Sequence, residues 1–494
     1  MNWLFISGSA CHGCFNGPAL VESALRQEKH MKPNRSRNQK QRPLKRQSET
    51  LPAEAIELTI DSLSHDARGI GRYQGKTVFI TDALPGEQVL ARLTEEKAKF
   101  YTGQTLEVLT PDSHRISPNC PHYDQCGGCD MQHIDNAYQL ELKQAQVLDQ
   151  ISRIGNSKPA NIQPALTATN WNYRRSARIG INQLSDGEPI IGFRRSGSNL
   201  LSQIDSCAVL DKRVSDIFSR IREDLTDTGD IRHITQMEID LGDNNGYLAL
   251  RLKKALNEEH LSIFQAAAND YLLTLDLQLI GEESAANKPQ PASYVLNELT
   301  LEFQPSDFIQ VNPEINQQMV NKAIELLQPA EGDQILDLFC GLGNFSLPVA
   351  KSGVSVTGIE GSMSMVHRAE HNAELNQLTS CNFYCANLAE PLNGHQWYKQ
   401  PYNKIILDPP RAGAAEILPQ VTALKPEKIL YISCNPGALA RDSRILTEEG
   451  YIMQEFMVMD MFPQTHHIES MVLFTRGKKK KQKKKLFSGK GISR

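Results

Sequence analysis

The stretch ILDLFCGLGNFS (335–346) decides the reading of the carboxyl-terminal half of the chain. It has the pattern of a buried strand, a glycine turn and the start of a helix. Gly341 and Gly343 permit the tight turn and let a ligand approach the backbone. Asp337 sits near the strand's end, and VTGIE (356–360) places Glu360 at the end of the next strand, where a carboxylate can take ribose hydroxyls. No Walker lysine follows, so the loop is not a phosphate cradle. An adenosine ligand without phosphates fits this site, S-adenosylmethionine best, with NAD as the alternative.

Working outward, residues 305–475 alternate strands with helix-length stretches, the signature of an α/β domain with a mostly parallel sheet. The expected strands are QILDLF, VSVTGIE, CNFYCAN, KIILDPP, KILYISC, YIMQEFMVM and ESMVLFT. The last two lie close enough to pair antiparallel. Asp408-Pro409-Pro410-Arg411 closes the fourth strand and sets a carboxylate and stiff backbone at the sheet's carboxyl edge, where ligands bind in such folds. YISCNP (431–436) ends the fifth strand in Cys434 just before a predicted helix. A thiol there is expected to be favoured as thiolate by the helix N-terminal amides. HHIES (466–470) opens the last strand with Glu469. A thiolate can add to C6 of uracil, after which C5 attacks a methyl sulfonium and a base removes the C5 proton. Cys434, Glu469 and a methyl donor are the equipment this chemistry needs.

The amino-terminal half reads differently. Residues 51–112 hold five short candidate strands broken by Gly71, Gly75 and Pro85-Gly86, which predicts a small barrel of the kind that binds oligonucleotides. CPHYDQCGGCDMQH (120–133) is cysteine-rich, and residues 136–155 read as a helix. WNYRRSARIG (171–180) and GFRRSG (192–197) interleave aromatics with arginines, a pattern suited to base stacking and phosphate pairing. Residues 208–300 carry no legible motif.

At 494 residues, 40% apolar and 22% charged, the chain has material for about three domains, and collagen-like, coiled-coil and wholly disordered classes are excluded. No uncharged apolar run approaches the ~18 residues of a membrane span. The net charge of −4 hides a segregation: 17 of the 53 Lys and Arg lie in two acid-free segments, 31–46 and 476–494. The remaining 36 bases face 57 acids. Two basic tails on an acidic body point to tethers for a polyanion, nucleic acid foremost. Met31 makes a sensible start, with residues 1–30 as an upstream extension, and the Cys11–Cys14 pair carries no metal argument. Without an export signal, the ten cysteines are expected reduced, catalytic or metal-binding, in a cytoplasmic, monomeric protein.

Taken together, FIQVN (308–312), DLFCGLGNF, DPPR, SCNP and HHIES resemble the RNA uracil-C5 methyltransferases over roughly residues 50–475. The barrel is similar to the TRAM domain of some members, and CPHYDQCGGC with Cys207 resembles the family's iron–sulfur site; both together point to the 23S ribosomal RNA subgroup. The architecture implied is a TRAM barrel at 51–112, a mixed α/β central domain with the iron–sulfur cysteines at 113–304, and a Rossmann-like methyltransferase domain at 305–475, flanked by basic extensions 1–50 and 476–494. The resemblance implies Cys434 as nucleophile and Glu469 as base. It implies S-adenosylmethionine held by Gln310, Phe339, Asn344, Glu360, Asn387 and Asp408, and a [4Fe–4S] cluster on Cys120, Cys126, Cys129 and Cys207. Spacing alone is as compatible with zinc, with His122 or His133 as a ligand. The cluster's distance in sequence from the catalytic motifs favours a part in folding or RNA contact.

Two other classes stand beside this reading. An amino-methyltransferase would use DPP without a nucleophilic cysteine, and a non-catalytic RNA-binding protein would need neither Cys434 nor Glu469. Within the family, a dual-site or other uracil-C5 enzyme is the alternative.

Overall fold

Alternation in KTVFIT and its neighbours turns Val78, Ile80, Val89, Ala91 and Leu93 inward, and these close-packed side chains form the centre of an amino-terminal barrel. The computed structural model describes residues 51–52, 54–225, 229–281 and 289–477; the basic tails, Met31 and the Cys11–Cys14 pair lie outside the described residues, save Arg476 and Gly477. The barrel strands are β1 (Ile56–Thr59), β2 (Ser62–Leu63), β3 (Gly69–Tyr73), β4 (Lys76–Thr81), β5 (Gln88–Glu96) and β6 (Phe100–Thr110), in the order β1-β5-β6-β4-β3-β2. Six strands appear where five were expected, because AIELTIDSL bends at Ile60-Asp61. Its first half pairs with β5 and its second with β3, which closes the barrel. At Gly103 a Cβ would lie 2.6 Å from the Arg92 carbonyl oxygen, so only glycine lets β5 and β6 approach.

Helix α1 (Asn136–Arg153) follows, capped by Asp135, whose carboxylate accepts from the amides of Ala137 and Tyr138. Its buried face runs at spacings of four through Gln139, Lys143, Val147 and Ile151. The apolar pair packs with Leu439 and Ala440 of the last helix, so α1 lies against the carboxyl-terminal layer. The short β7 (Asn161–Ile162) joins the carboxyl-terminal sheet as its edge.

Next come β8 (Ser176–Gln183), β9 (Pro189–Gly192), α2 (Ile217–Asp224), β10 (Ile234–Leu241), β11 (Gly246–Leu252), α3 (Glu258–Asp270) and β12 (Thr274–Leu279). The strands form one sheet, β12-β11-β10-β8-β9, and Phe218, Ile221 and Phe264 from the two helices fill its core. The hairpin β13 (Ala292–Leu296) and β14 (Leu299–Phe303) packs Tyr294, Leu301 and Phe303 against Met319 and Ala323 of α4 (Pro313–Leu327).

The carboxyl-terminal elements are β15 (Gln334–Leu338), α5 (Ser346–Ala350), β16 (Ser355–Glu360), α6 (Met363–Leu375), β17 (Cys381–Cys385), β18 (Lys404–Leu407), α7 (Leu418–Ala423), β19 (Lys428–Ser433), α8 (Pro436–Glu448), β20 (Tyr451–Met459) and β21 (Glu469–Arg476). With β7 they make an eight-stranded sheet, β17-β16-β15-β18-β19-β21-β20-β7. The five expected parallel strands are parallel, and β21 runs antiparallel between β19 and β20. The order reverses direction between β15 and β18, which opens a crevice at their carboxyl ends. Among the described residues no helix is long and apolar enough to cross a membrane.

Candidate active site

The crevice is walled on one side by the glycine loop after β15. Phe339 takes positive φ (67°) and its amide donates to the Ile359 carbonyl at 2.9 Å, which turns the chain sharply off the strand. The Glu360 carboxylate accepts from the Gly341 amide (3.1 Å) through one oxygen and from those of Gly361 (2.8 Å) and Ser362 (3.1 Å) through the other. It thus ties the loops after β15 and β16 together. Ala386, next to Asn387, donates its amide to the Glu360 carbonyl at 3.0 Å. Asn387 itself accepts from the Ala389 amide and donates to Glu390. Asn344 exchanges reciprocal amide hydrogen bonds of 2.9 Å with Asn316 of α4. Gln310 lies in the loop before α4, its carbonyl clasped by Arg175 Nε at 2.7 Å.

Carboxylates dominate the floor. Asp337 is fully buried; its Oδ2 accepts from Ser346 Oγ at 2.5 Å, and its Oδ1 has no partner among the described residues. Burial, then the charges of Asp408 and Glu360, push Asp337 up to about 7. Burial likewise pushes Asp408 up to about 7. An orphaned buried carboxylate oxygen, with two further carboxylates in reach, fits a ligand bearing positive charge, as the ammonium and sulfonium of S-adenosylmethionine do.

Across β18, Cys434 follows β19 directly. Ser433 pairs with Ser470 in the antiparallel β19–β21 ladder, so the next step along brings Cys434 opposite Glu469. The turn is fixed by its neighbours in SCNP. Ser433 Oγ donates to the Asn435 carbonyl (3.1 Å) and accepts from its amide (3.2 Å). Asn435 caps α8 by accepting from Gly437 and Ala438 amides, and it donates to the Arg411 carbonyl at 2.8 Å. Pro436 occupies the first helical turn.

The expected thiolate is not what the free site favours. Burial, then the charges of Glu469 and Asp408, push the Cys434 thiol up to about 12, against the opposing pull of Arg411. The helix amides do not reverse this, because the Asn435 side chain already caps them. Glu469 is buried and is held well above the usual carboxylate range by burial and by Asp408. Burial and the neighbouring carboxylates therefore disfavour the charged form of both groups.

The loop between β20 and β21 carries residues to which the sequence reading gave no role. His467 stacks edge-on to Phe462 (centroids 5.7 Å) and sits 3.5 Å from Arg411 through Nδ1; burial pushes it down to about 3, so the ring is neutral. Lys143 of α1 donates to Asp460 (2.9 Å) and to the Phe462 carbonyl (3.1 Å), and both Lys143 and Asp460 are buried. The signal for Lys143 and Gln139 in the sequence was their place on the buried stripe of α1, which reads as a surface helix by charge alone.

A family model described as tRNA (Uracil-5-)-methyltransferase matches residues 166–477. The chain belongs to this family. A TRAM domain model also matches residues 50–106, over the barrel. Among relatives of this uracil-5-methyltransferase, the 23S rRNA (uracil(1939)-C(5))-methyltransferase RlmD of Hahella chejuensis is 40% identical over 446 residues, which cover 88% of this chain and 100% of that one. The protein of the same description from Legionella pneumophila (strain Paris) is 40% identical over 429 residues, 85% of this chain and 96% of the other. The fold is that of the Pyrococcus abyssi tRNA (uracil-54, C5)-methyltransferase, solved in complex with S-adenosyl-L-homocysteine. That structure has a TM-score of 0.66 at 22% identity and covers 85% of this chain and 99% of that chain.

In this uracil-5-methyltransferase the arginine–aromatic segments do not form the stacking platform expected of them. Tyr173 is buried, with its hydroxyl donating to the Pro463 carbonyl at 3.0 Å, and Phe193 packs edge-on against Phe218. Arg175 is buried over the Tyr294 ring, 4.0 Å from its centroid. Tyr173 and Arg175, just ahead of β8, are buried and Phe193, just after β9, is half-buried, whereas Arg194 and Arg195 remain outside.

Cys120, Cys126, Cys129 and Cys207 are free of disulfides and lie in one locality: Cys207 belongs to the central core, and Cys126 and Cys129 pack on it. Each of Cys126 and Cys129 is pushed up chiefly by burial and further by neighbouring thiols, Cys120 and Cys207 among them. Four sulfur donors suit an iron–sulfur cluster in kind. Among the described residues, however, no three His, Cys, Asp or Glu side chains are gathered as a metal-binding group. His133 bonds through Nδ1 to the Tyr123 hydroxyl at 2.7 Å, leaving its buried Nε2 without a partner among the described residues, and His122 Nε2 accepts from the Asp205 amide.

Proposed function

We propose that this chain methylates C5 of a uridine in 23S ribosomal RNA, with Cys434 as nucleophile and Glu469 as base. The observation that carries the chemistry is the β19–β21 register, which sets a thiol and a buried carboxyl side by side at the crevice edge. Its 40% identity to 23S rRNA enzymes over nearly their full length supports the substrate. Bound S-adenosylmethionine supplies the methyl sulfonium. Gln310, Phe339, Asn344, Glu360, Asn387 and Asp408 line the loops that would hold it, and the lone Oδ1 of Asp337 adds an acceptor. A cationic ligand beside Asp337, Asp408 and Glu469 would favour their ionised forms, and an ionised Glu469 is the form that can accept a proton. Cys434 gives its thiol proton to solvent and adds to C6 as thiolate, C5 takes the methyl group, and Glu469 removes the C5 proton as the C6–S bond breaks and the sulfur leaves as thiolate. The target base has to leave its stack to reach the crevice. The barrel at 51–112 and the exposed Arg194 and Arg195 would hold the surrounding RNA.

We infer further that Cys120, Cys126, Cys129 and Cys207 bind a [4Fe–4S] cluster. Their shared locality and the absence of disulfides among them support ligation through sulfur. Iron and acid-labile sulfide in anaerobically purified protein, lost together in Cys207→Ser, would bear this out; stoichiometric zinc would overturn it.

The methylation reading is tested with a 23S rRNA fragment carrying 5-fluorouridine. Fluorine cannot leave as a proton, so the enzyme should stay attached to the RNA on a denaturing gel, dependent on S-adenosylmethionine and absent in Cys434→Ala. Methyl transfer to ordinary RNA without any such adduct would support an amino-methyltransferase instead.

A further inference from the structure

The base's strand begins straight after an irregular loop, 460–468, whose polar groups are satisfied largely by a distant part of the chain. The Gln464 carbonyl accepts from the amides of Asp130 and Met131, both at 3.1 Å. The Gln464 amide donates to Gln139 Oε1 at 3.1 Å, and Gln464 is itself buried with a positive φ of 69°, a conformation that only its surroundings hold. Lys143 pins the loop's start through Asp460. Its end is pinned by Asp130: Oδ1 accepts from the His466 amide at 2.7 Å, and Oδ2 meets His466 Nδ1. That contact lies three residues before Glu469 and joins positions 336 apart in sequence.

We propose that Asp130 is a positioning residue for Glu469, fixing through His466 where the base's strand starts. The inference rests on the reading of Glu469 as the base. The two anchors divide the work. Lys143 and Asp460 are buried, and their loss removes part of the fold. Asp130 and His466 are about one-third exposed, at 36% and 32%, so altering them leaves the fold standing and moves the loop's end. The acid follows Cys129 directly. The cysteine segment, remote in sequence from every catalytic motif, therefore touches the catalytic loop.

The chemistry supplies a selective test. Cys434 addition and methyl transfer precede the step that needs Glu469, in which the C5 proton passes to the carboxylate, the C5–H pair forms the C5–C6 double bond, and sulfur leaves with the C6–S pair. A misplaced base stalls that step alone. With ordinary 23S rRNA fragment, Asp130→Ala should accumulate covalent RNA on a denaturing gel and release it at least about tenfold more slowly than wild type. Its rate of adduct formation on 5-fluorouridine RNA should stay within about twofold. Asp130→Asn keeps the Oδ1 acceptor and should restore release. His466→Ala, which loses only the ring contact, should stall in the same direction. Wild-type release rates in both Asp130→Ala and His466→Ala would overturn the proposal, as would equal slowing of adduct formation and breakdown. A wild-type enzyme that forms no adduct on 5-fluorouridine RNA would instead refute the covalent reading beneath it.

Discussion

Cys434 and Glu469 occupy facing positions one step beyond the Ser433–Ser470 pair, on strands that run antiparallel inside an otherwise parallel sheet. The reversal of β21 is what makes this possible. A parallel strand there would have put residue 469 at the far edge, away from the thiol. On the proposed mechanism the two groups act at different times, so their substitutions should separate. Cys434→Ala should abolish both turnover and covalent RNA. Glu469→Gln should form the methylated adduct yet release it about 10²- to 10⁴-fold more slowly, the usual worth of a positioned base. Quench-flow with radiolabelled methyl donor and a denaturing gel reads both steps.

The buried carboxyls make stability depend on pH in an unusual direction. Asp337 and Asp408 are each raised from 3.8 to about 7 in the folded protein. Between those values the folded state binds more protons than the unfolded one, so their contribution to stability is present below about 4 and is lost as pH rises through 7. The melting temperature should therefore fall between pH 5 and pH 8, and Asp408→Asn should flatten that fall. Saturating S-adenosylmethionine should flatten it too, because a cation in the crevice offsets the carboxylate charges. Calorimetric scans at the two pH values check both statements.

The parts of this site that were legible in the sequence are local. DLFCGLGNF, DPPR and SCNP each declare a strand end through glycine, proline or an asparagine cap, and the sheet carries all three to one edge. Contacts between distant segments were not legible. Nothing in CGGCD says that Asp130 will meet His466, since neither residue has a spacing that names its partner. The arginine–aromatic interleaving misled because alternation does not reveal which face is inside: Tyr173 and Arg175 went in. The protonation of Cys434 was misjudged for a related reason. Its helix terminus is visible in sequence, whereas the burial and the two carboxylates that outweigh it arrive from β18 and β21.

Glu360 holds the cofactor loop through three backbone amides, from Gly341, Gly361 and Ser362. Hydrogen bonds to a charged acceptor contribute about 1.5–3 kcal/mol each, and the loops cannot replace all three. Glu360→Ala should weaken S-adenosylmethionine binding by roughly 10- to 100-fold while leaving RNA affinity near wild type. Titration calorimetry with the methyl donor and filter binding with RNA distinguish this from general unfolding, which would lower both.

The arginines divide by depth, and so should their substitutions. Arg175 donates to the Gln310 carbonyl at 2.7 Å, and its amide donates to that of Val311 at 2.9 Å. It supports the loop before α4 from a buried position. Arg175→Met should lower the melting temperature and weaken S-adenosylmethionine binding, because a buried carbonyl loses its donor. The salt dependence of RNA binding should not change. Arg194 and Arg195 are exposed, and among the described residues their side chains donate to Asn199 and to the Leu201 carbonyl. Removing either should leave cofactor binding and melting temperature alone. Each should reduce the slope of log affinity against log salt by about 0.7–0.9, one phosphate contact's share. A salt slope that falls with Arg175→Met and stays fixed with Arg194→Ala would reverse the assignment of Arg175 to the inside and Arg194 to the outside.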